Sequence, residues 1–232
     1  MDLQVVILAA GMGTRLGQPF PKPLTPLKDG RTILAQQLGN VREAFGDNVQ
    51  AMAVVGFKLE QILESAPDIA FVYNEVFDQT NTSKSLLKAL KATGNRGVLW
   101  MNGDVVFHPE VLRRVEPLVE QGQSFVCVNT AKTAEEEVKY TVDENGHIAA
   151  LSKQVPLTEA LGEAVGINFI APADKAVFIQ RLIEVDEQDY FERGLEIAIE
   201  QDNVQVLPVD ISDLYAVEVD FAEDLARANE VI

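Results

Sequence analysis

A chain of 232 residues, 47% of them hydrophobic, is long enough to bury one full core, and its formal charge of −17 repels polyphosphate backbones, which argues against nucleic-acid binding. Its one cysteine, Cys127, excludes a disulfide framework or a cysteine zinc cluster within the chain. No apolar run reaches the roughly 18–20 residues a membrane-spanning helix requires, and the apolar start lacks the basic segment of a signal peptide, so no membrane association and a cytoplasmic location are expected.

Residues 4–9 form a short β-branched apolar run that stops at Gly11, and residues 32–45 carry helical spacing through Ile33, Leu34, Leu38 and Val41, which predicts a strand, a loop and a helix. The alternation continues with strands at 51–55, 69–73 and 98–102 and helices at 59–65 and 85–92. Such order favours a doubly wound, mainly parallel sheet. Pro109 suits the first turn of a helix whose apolar face is Val111, Val115, Leu118 and Val119, and a strand at 124–129 follows. Glu144-Asn145-Gly146 between the runs 139–142 and 147–151 is a hairpin signal. It predicts a small antiparallel insert within a single domain, at about 138–170. The remainder reads as strand 164–170, helices 173–183 and 191–199, strands 204–209 and 215–219, and a closing helix 222–231. Glycine and proline concentrate in residues 11–30, a long connection after the first strand of the kind that carries function.

Leu8-Ala9-Ala10-Gly11-Met12-Gly13-Thr14-Arg15-Leu16 places two glycines directly after a buried strand, where backbone N–H groups approach a phosphate closely. Leucine at position 16 breaks the dinucleotide fingerprint, and no Gly-Lys-Ser/Thr completes a P-loop. Instead Arg15 and then Pro21-Lys22-Pro23-Leu24 follow, and the flanking prolines restrict the backbone around Lys22, which suits an ammonium that neutralises a transferring phosphoryl group.

Two acidic positions complete the set. Asn102-Gly103-Asp104 ends a hydrophobic strand, which puts Asp104 at the carboxyl edge of the sheet, where open α/β sheets bind ligands. Glu218-Val219-Asp220 has carboxylates at alternate positions, so an extended backbone projects both to one face. Together these acids suit Mg2+, which takes hard oxygen ligands. Asp104 and Asp220 are expected as direct ligands, and Glu218 as either a ligand or a contact to a cationic substrate group. His108 and His147 read as structural or exposed.

The glycine loop with Pro21-Lys22-Pro23-Leu24 resembles the signature of sugar-nucleotide and related nucleotidyltransferases. Asn74, Thr80-Asn81 and Ser85-Leu86, the run Gly103-Asp104-Val105-Val106-Phe107 and the Glu-x-Asp ending are similar to those of phosphocholine cytidylyltransferase-like enzymes. The resemblance implies a GT-A-like, Rossmann-type fold and transfer of a nucleoside monophosphate from an NTP, with CTP as the implied donor, to a small phosphorylated or phosphonate acceptor. It also implies that Leu8, Ala9, Ala10, Gly11, Gly13 and Thr14 line the nucleotide, that Arg15 and Lys22 hold its phosphates and that Asn81 and Ser85 lie near the base. On the acceptor side it implies Lys153, Gly166, Tyr190 and Glu218. One departure stands out, since Ala216 occupies the place where the family carries Trp two residues before its Glu. A quaternary ammonium favours an aromatic cage, so the change argues against choline unless Tyr140, Tyr190, Phe191 or Tyr215 substitutes. Phosphocholine, phosphoethanolamine, an aminoalkylphosphonate and a polyol phosphate all suit the site at this level. A sugar 1-phosphate with UTP, dTTP or GTP is one rival reading and a non-catalytic nucleotide-sensing module another. The oligomeric state, monomer or homodimer, stays open.

Overall fold

β1 (Leu3–Ala9) is buried along its whole length, as expected of a strand covered on both faces. In the computed structural model, which describes residues 2–232, it is flanked by two parallel partners, β2 (Gln50–Val55) and β4 (Gly97–Asn102). The chain runs from β1 through α1 (Ile33–Phe45) to β2, through α2 (Leu59–Ser65) to β3 (Ala70–Tyr73), and back through α3 (Thr82–Ala92) to β4 on the other side of β1. Connections thus leave β1 and β4 in opposite directions, and such a switch point opens a crevice at the strands' carboxyl ends. Leu8 lies beside Asn102 in this register, so the glycine loop and Asp104 emerge at one edge.

After β4 come β5 (Val105–Phe107), α4 (Glu110–Gln121), β6 (Phe125–Asn129), β7 (Lys139–Val142), β8 (Ile148–Ser152), β9 (Gly162–Ile170), α5 (Pro172–Glu184), α6 (Phe191–Asp202), β10 (Leu207–Asp210), β11 (Ala216–Glu218) and α7 (Ala222–Val231). The main sheet runs β10-β6-β9-β4-β1-β2-β3, with the β7–β8 hairpin attached to β9. β9 enters it antiparallel to both β4 and β6, which makes the sheet mixed as well as mainly parallel along β1 to β4. Alternation along β1 separates two cores. Leu3, Val5, Ile7 and Ala9 pack with α1, α2 and α4, whereas Val6 and Leu8 pack with α3, α5 and α6.

Differences from the sequence reading are local. α3 starts at Thr82 rather than 85, because the Asn81 side chain accepts from the Thr82 N–H at 2.8 Å and caps the helix. Pro109 is the N-cap of α4, not its first helical residue, and the strand expected at 204–209 is β10, which begins at Leu207. The short ribbon of β5 with β11 was not anticipated for β5. None of the described helices is long and apolar enough to cross a membrane.

Buried amides of α1 brace the turn that carries Asp104. Gln37 Nε2 donates to the Asn102 and Val105 carbonyls, both at 2.8 Å, while Gln36 and Asn40 donate to the Phe107 carbonyl at 2.6 and 2.9 Å. Replacing Gln37 with Leu strands two buried acceptors on either side of Asp104. Urea denaturation is expected to show a loss of about 1–3 kcal/mol, and an unchanged midpoint would show that the turn holds itself.

Candidate active site

At the carboxyl edge, Leu8, Ala9, Gly11, Gly13, Lys22, Pro23, Gly103 and Asp104 line a cleft of about 100 Å3. Gly13 holds φ +57°, and a Cβ there would meet the Lys22 Cβ at 3.0 Å, so glycine at this position lets the loop fold over the lysine. The Ala10 side chain packs into the core and its carbonyl accepts from the Phe57 N–H at 3.1 Å. Thr14 belongs to a short 3-10 turn, and its side chain lies outside what the structure describes.

Lys22 is the hub. Its Nζ donates to Asp104 Oδ2 at 2.9 Å and to Asp220 Oδ1, and Arg15 Nη1 donates to Asp220 Oδ2 at 2.9 Å. The ribbon of β5 and β11 explains how two acids so far apart in the chain meet: Glu218 pairs with Val105, and the Val219 N–H donates to the Asp104 carbonyl at 2.9 Å. The sequence treats the basic cradle and the acidic clamp as neighbours across a ligand, and in the structure they touch directly.

The electrostatics follow from that contact. Burial alone would lower the Lys22 pKa, but the Asp104 charge and hydrogen bonds to both aspartates reverse this and raise it. Burial pushes the Asp220 carboxyl up, and the hydrogen bond from Lys22, with the charges of Lys22 and Arg15, outweighs it and holds the group below its ordinary value. Glu218 is pushed up to about 8, first by the Asp104 charge, then by burial and by Asp220. The residue is exposed at the surface, and repulsion from the neighbouring carboxylates is the main cause.

Carboxylate oxygens of Asp104, Glu218 and Asp220 all lie within 4.8 Å of one another. Asp104 Oδ1 is buried and has no hydrogen-bond partner among the described residues. A hard, anionic, partly unsatisfied oxygen set of this kind fits a divalent cation.

Other expected site residues lie elsewhere. Asn81 caps α3, and Ser85, 7% exposed, hydrogen-bonds Asn74 at 3.0 Å; neither lines the cleft. Gly166 sits at φ +73° with a Cβ position 2.7 Å from Asn102 Nδ2, in a stretch where the pairing of β6 and β9 shifts register, so it forms a bulge. Lys153 and Tyr190 line a second, larger cavity of about 670 Å3 between the β7–β8 hairpin and the start of α6, and Lys153 Nζ lies 4.7 Å from the Tyr190 ring centroid.

Of the four aromatics considered as a cage, Tyr140 and Phe191 are core residues, and Tyr215 packs edge-on against His108, centroids 5.2 Å apart. Only Tyr190 of these faces the larger cavity. The sequence reading missed Glu192 there. Burial pushes its carboxyl from 4.5 up to about 7. Because the folded state holds that proton more tightly, the group's contribution to stability falls as pH rises from about 4.5 to about 7 and is level above. Glu192→Gln should therefore flatten this part of the stability profile by on the order of 2–3 kcal/mol, as read by denaturation at pH 5 and pH 7.5. Parallel wild-type and variant profiles would refute it.

Residues 5–168 match the model of the MobA-like NTP transferase domain. The chain is 40% identical over 125 residues, 50% of its length, to the CMP-5'-(3-aminopropyl)phosphonate synthase of Streptomyces rubellomurinus, of which the match covers 19%. It is 29% identical over 163 residues, 69% of its length, to the bifunctional protein GlmU of Pseudomonas entomophila, covering 35% of that protein. The chain thus spans between about a fifth and a third of these curated relatives. Among solved structures, the CTP:phosphocholine cytidylyltransferase of Streptococcus pneumoniae superposes with a TM-score of 0.79 at 16% identity, covering 100% of this chain and 99% of that one.

Proposed function

The chain belongs to the MobA-like NTP transferase domain family, and we propose that it is a nucleotidyltransferase that joins CMP from CTP to a small phosphorylated or phosphonate acceptor with release of pyrophosphate. The observation that carries this reading is the contact of Lys22 with Asp104 at 2.9 Å inside a glycine-lined cleft, with Asp220 and Glu218 beside them. CTP as donor and a phosphonate as acceptor draw support from the name of the Streptomyces relative.

An acceptor phosphate or phosphonate oxygen is already an anionic nucleophile, so attack on the α-phosphorus needs no covalent enzyme intermediate and no general base. Positioning and charge neutralisation are the catalytic tasks. Asp104 and Asp220, with Glu218, would hold Mg2+, which when bound supplies positive charge at the phosphates. Backbone N–H groups of the Gly11–Gly13 loop hold the triphosphate. Lys22 turns its ammonium from the aspartates to the α-phosphoryl oxygens as negative charge develops there, and Arg15 steadies the departing pyrophosphate. Asn81 and Ser85 fix the connection from β3 to α3 that borders the base.

Pyrophosphate release, measured with Mg2+ and each of ATP, CTP, GTP, UTP and dTTP in the presence of an aminoalkylphosphonate or a sugar 1-phosphate, tests the reading. CTP is expected to support turnover well above the others. Release with UTP or dTTP and a sugar 1-phosphate would move the chain to that acceptor class. Nucleotide binding without release under any pairing would make it a sensing module.

A further inference from the structure

The larger cavity holds a carboxylate with no ion-pair partner among the described residues. Glu192 lines it beside Lys153, Tyr190, Arg193 and Glu196, is only 9% exposed, and its Oε2 has no hydrogen-bond partner among the described residues. Its neighbours are otherwise engaged: Arg193 pairs with Glu196, and Lys153 lies over the Tyr190 ring. A buried carboxylate in that state is costly and acquires either a proton or a cationic partner.

The wall of the cavity connects through β9 to the turn that carries Asp104. Val138 in its wall accepts from the Ala164 N–H at 2.8 Å, and Gly166, two residues or roughly 7 Å of extended strand further on, abuts Asn102 at the base of the turn that carries Asp104. Buried Lys139 fixes the segment around Val138 by donating to the carbonyls of Glu135, Glu137 and Lys153 at 2.7, 3.2 and 2.8 Å.

We propose that this cavity is the acceptor site and that Glu192 selects an acceptor whose tail ends in a primary ammonium, with Lys153 at the anionic end. The inference rests on the transferase reading above. A primary ammonium brings three N–H donors to an unpartnered carboxylate, whereas a quaternary ammonium has none to give and binds through aromatic faces. Here the one face available, that of Tyr190, already carries Lys153. A hydroxyl tail brings Glu192 a single donor and no positive charge.

The test compares kcat and KM, with CTP and Mg2+, for three acceptors that share an anionic phosphonate or phosphate head and end in a primary amine, a trimethylammonium or a hydroxyl. Wild-type protein is expected to prefer the amine. Glu192→Gln should raise KM for the amine acceptor roughly 10- to 100-fold, the loss that follows removal of a charged hydrogen-bond partner, with kcat and the KM for CTP within a few-fold. Its preference for amine over hydroxyl should collapse, and Glu192→Asp should keep part of it. The aspartate variant and the wild-type ranking carry the test if the glutamine variant does not fold. Equal losses on all three acceptors, or a wild-type preference for trimethylammonium, would overturn the inference and leave the transferase reading intact. Absence of turnover with every acceptor and every NTP would overturn both.

Discussion

Lys22→Met is expected to lower the rate of pyrophosphate release by about 10²–10³-fold while increasing the protein's affinity for Mn2+ in the absence of nucleotide. The two effects have one cause. Lys22 neutralises Asp104 and Asp220 at hydrogen-bond distance, so a cation entering that oxygen set competes with the ammonium, and removing the ammonium relieves the competition. During transfer the same ammonium is the preorganised charge next to the α-phosphorus, and the loss of one such donor costs about 3–4 kcal/mol of transition-state stabilisation. Methionine keeps the length and apolar stem of the side chain, so the effect isolates the charge. In thermal melts Mg2+ should stabilise the variant more than the wild type, because three carboxylates within 4.8 Å are then left with the Arg15 guanidinium on Asp220 as their remaining counter-charge. A variant that lost turnover and also lost metal affinity would make Lys22 a structural support of the acids instead.

Asp104→Asn should be as damaging to turnover, again about 10²–10³-fold, but with the opposite effect on the metal. Asp104 supplies the one carboxylate of the trio with a buried, unpartnered oxygen. An amide keeps the shape and gives up the charge, and Mg2+ binds neutral amide oxygen far less well than carboxylate. Mn2+ titration should therefore show weakened binding, and raising the metal concentration should restore part of the activity. Lys22 retains Asp220 as its partner, which limits the effect on folding. Full activity in Asp104→Asn at ordinary Mg2+ would remove this residue from the site.

Much of this geometry was legible because its determinants are local. A buried β-branched run that ends in glycines sets the first loop at a strand's carboxyl end, and a second apolar strand ending in Gly103-Asp104 sets the acid at the same edge once the sheet is parallel. Glu218 and Asp220 were legible as a pair, since alternation in an extended backbone puts them on one face. What brings them to Asp104 was not, because the ribbon of β5 with β11 depends on long-range pairing that a three-residue run such as 105–107 does not announce. Likewise, the period of 2 in residues 164–170 identifies a strand but says nothing about its direction, and β9 runs antiparallel between β4 and β6.

Side chains whose meaning depends on burial were the least legible. Gln36, Gln37 and Asn40 look like the polar face of α1, yet they are buried and hold the Asp104 turn. Tyr140, Phe191 and Tyr215 were equal to Tyr190 as cage candidates, and only the packing separates them. Glu192, among 36 acidic residues in the chain, reads as a surface charge near a helix start. Nothing but its lack of a partner inside a cavity sets it apart.

A crystal structure with CTP and Mn2+ tests the central claim most directly, since anomalous scattering locates the metal without ambiguity. The account expects one metal peak in contact with Asp104 and Asp220, and the α-phosphate within hydrogen-bond reach of Lys22 Nζ over the Gly11–Gly13 loop. A triphosphate bound away from that loop, or a metal held by other residues, would contradict it.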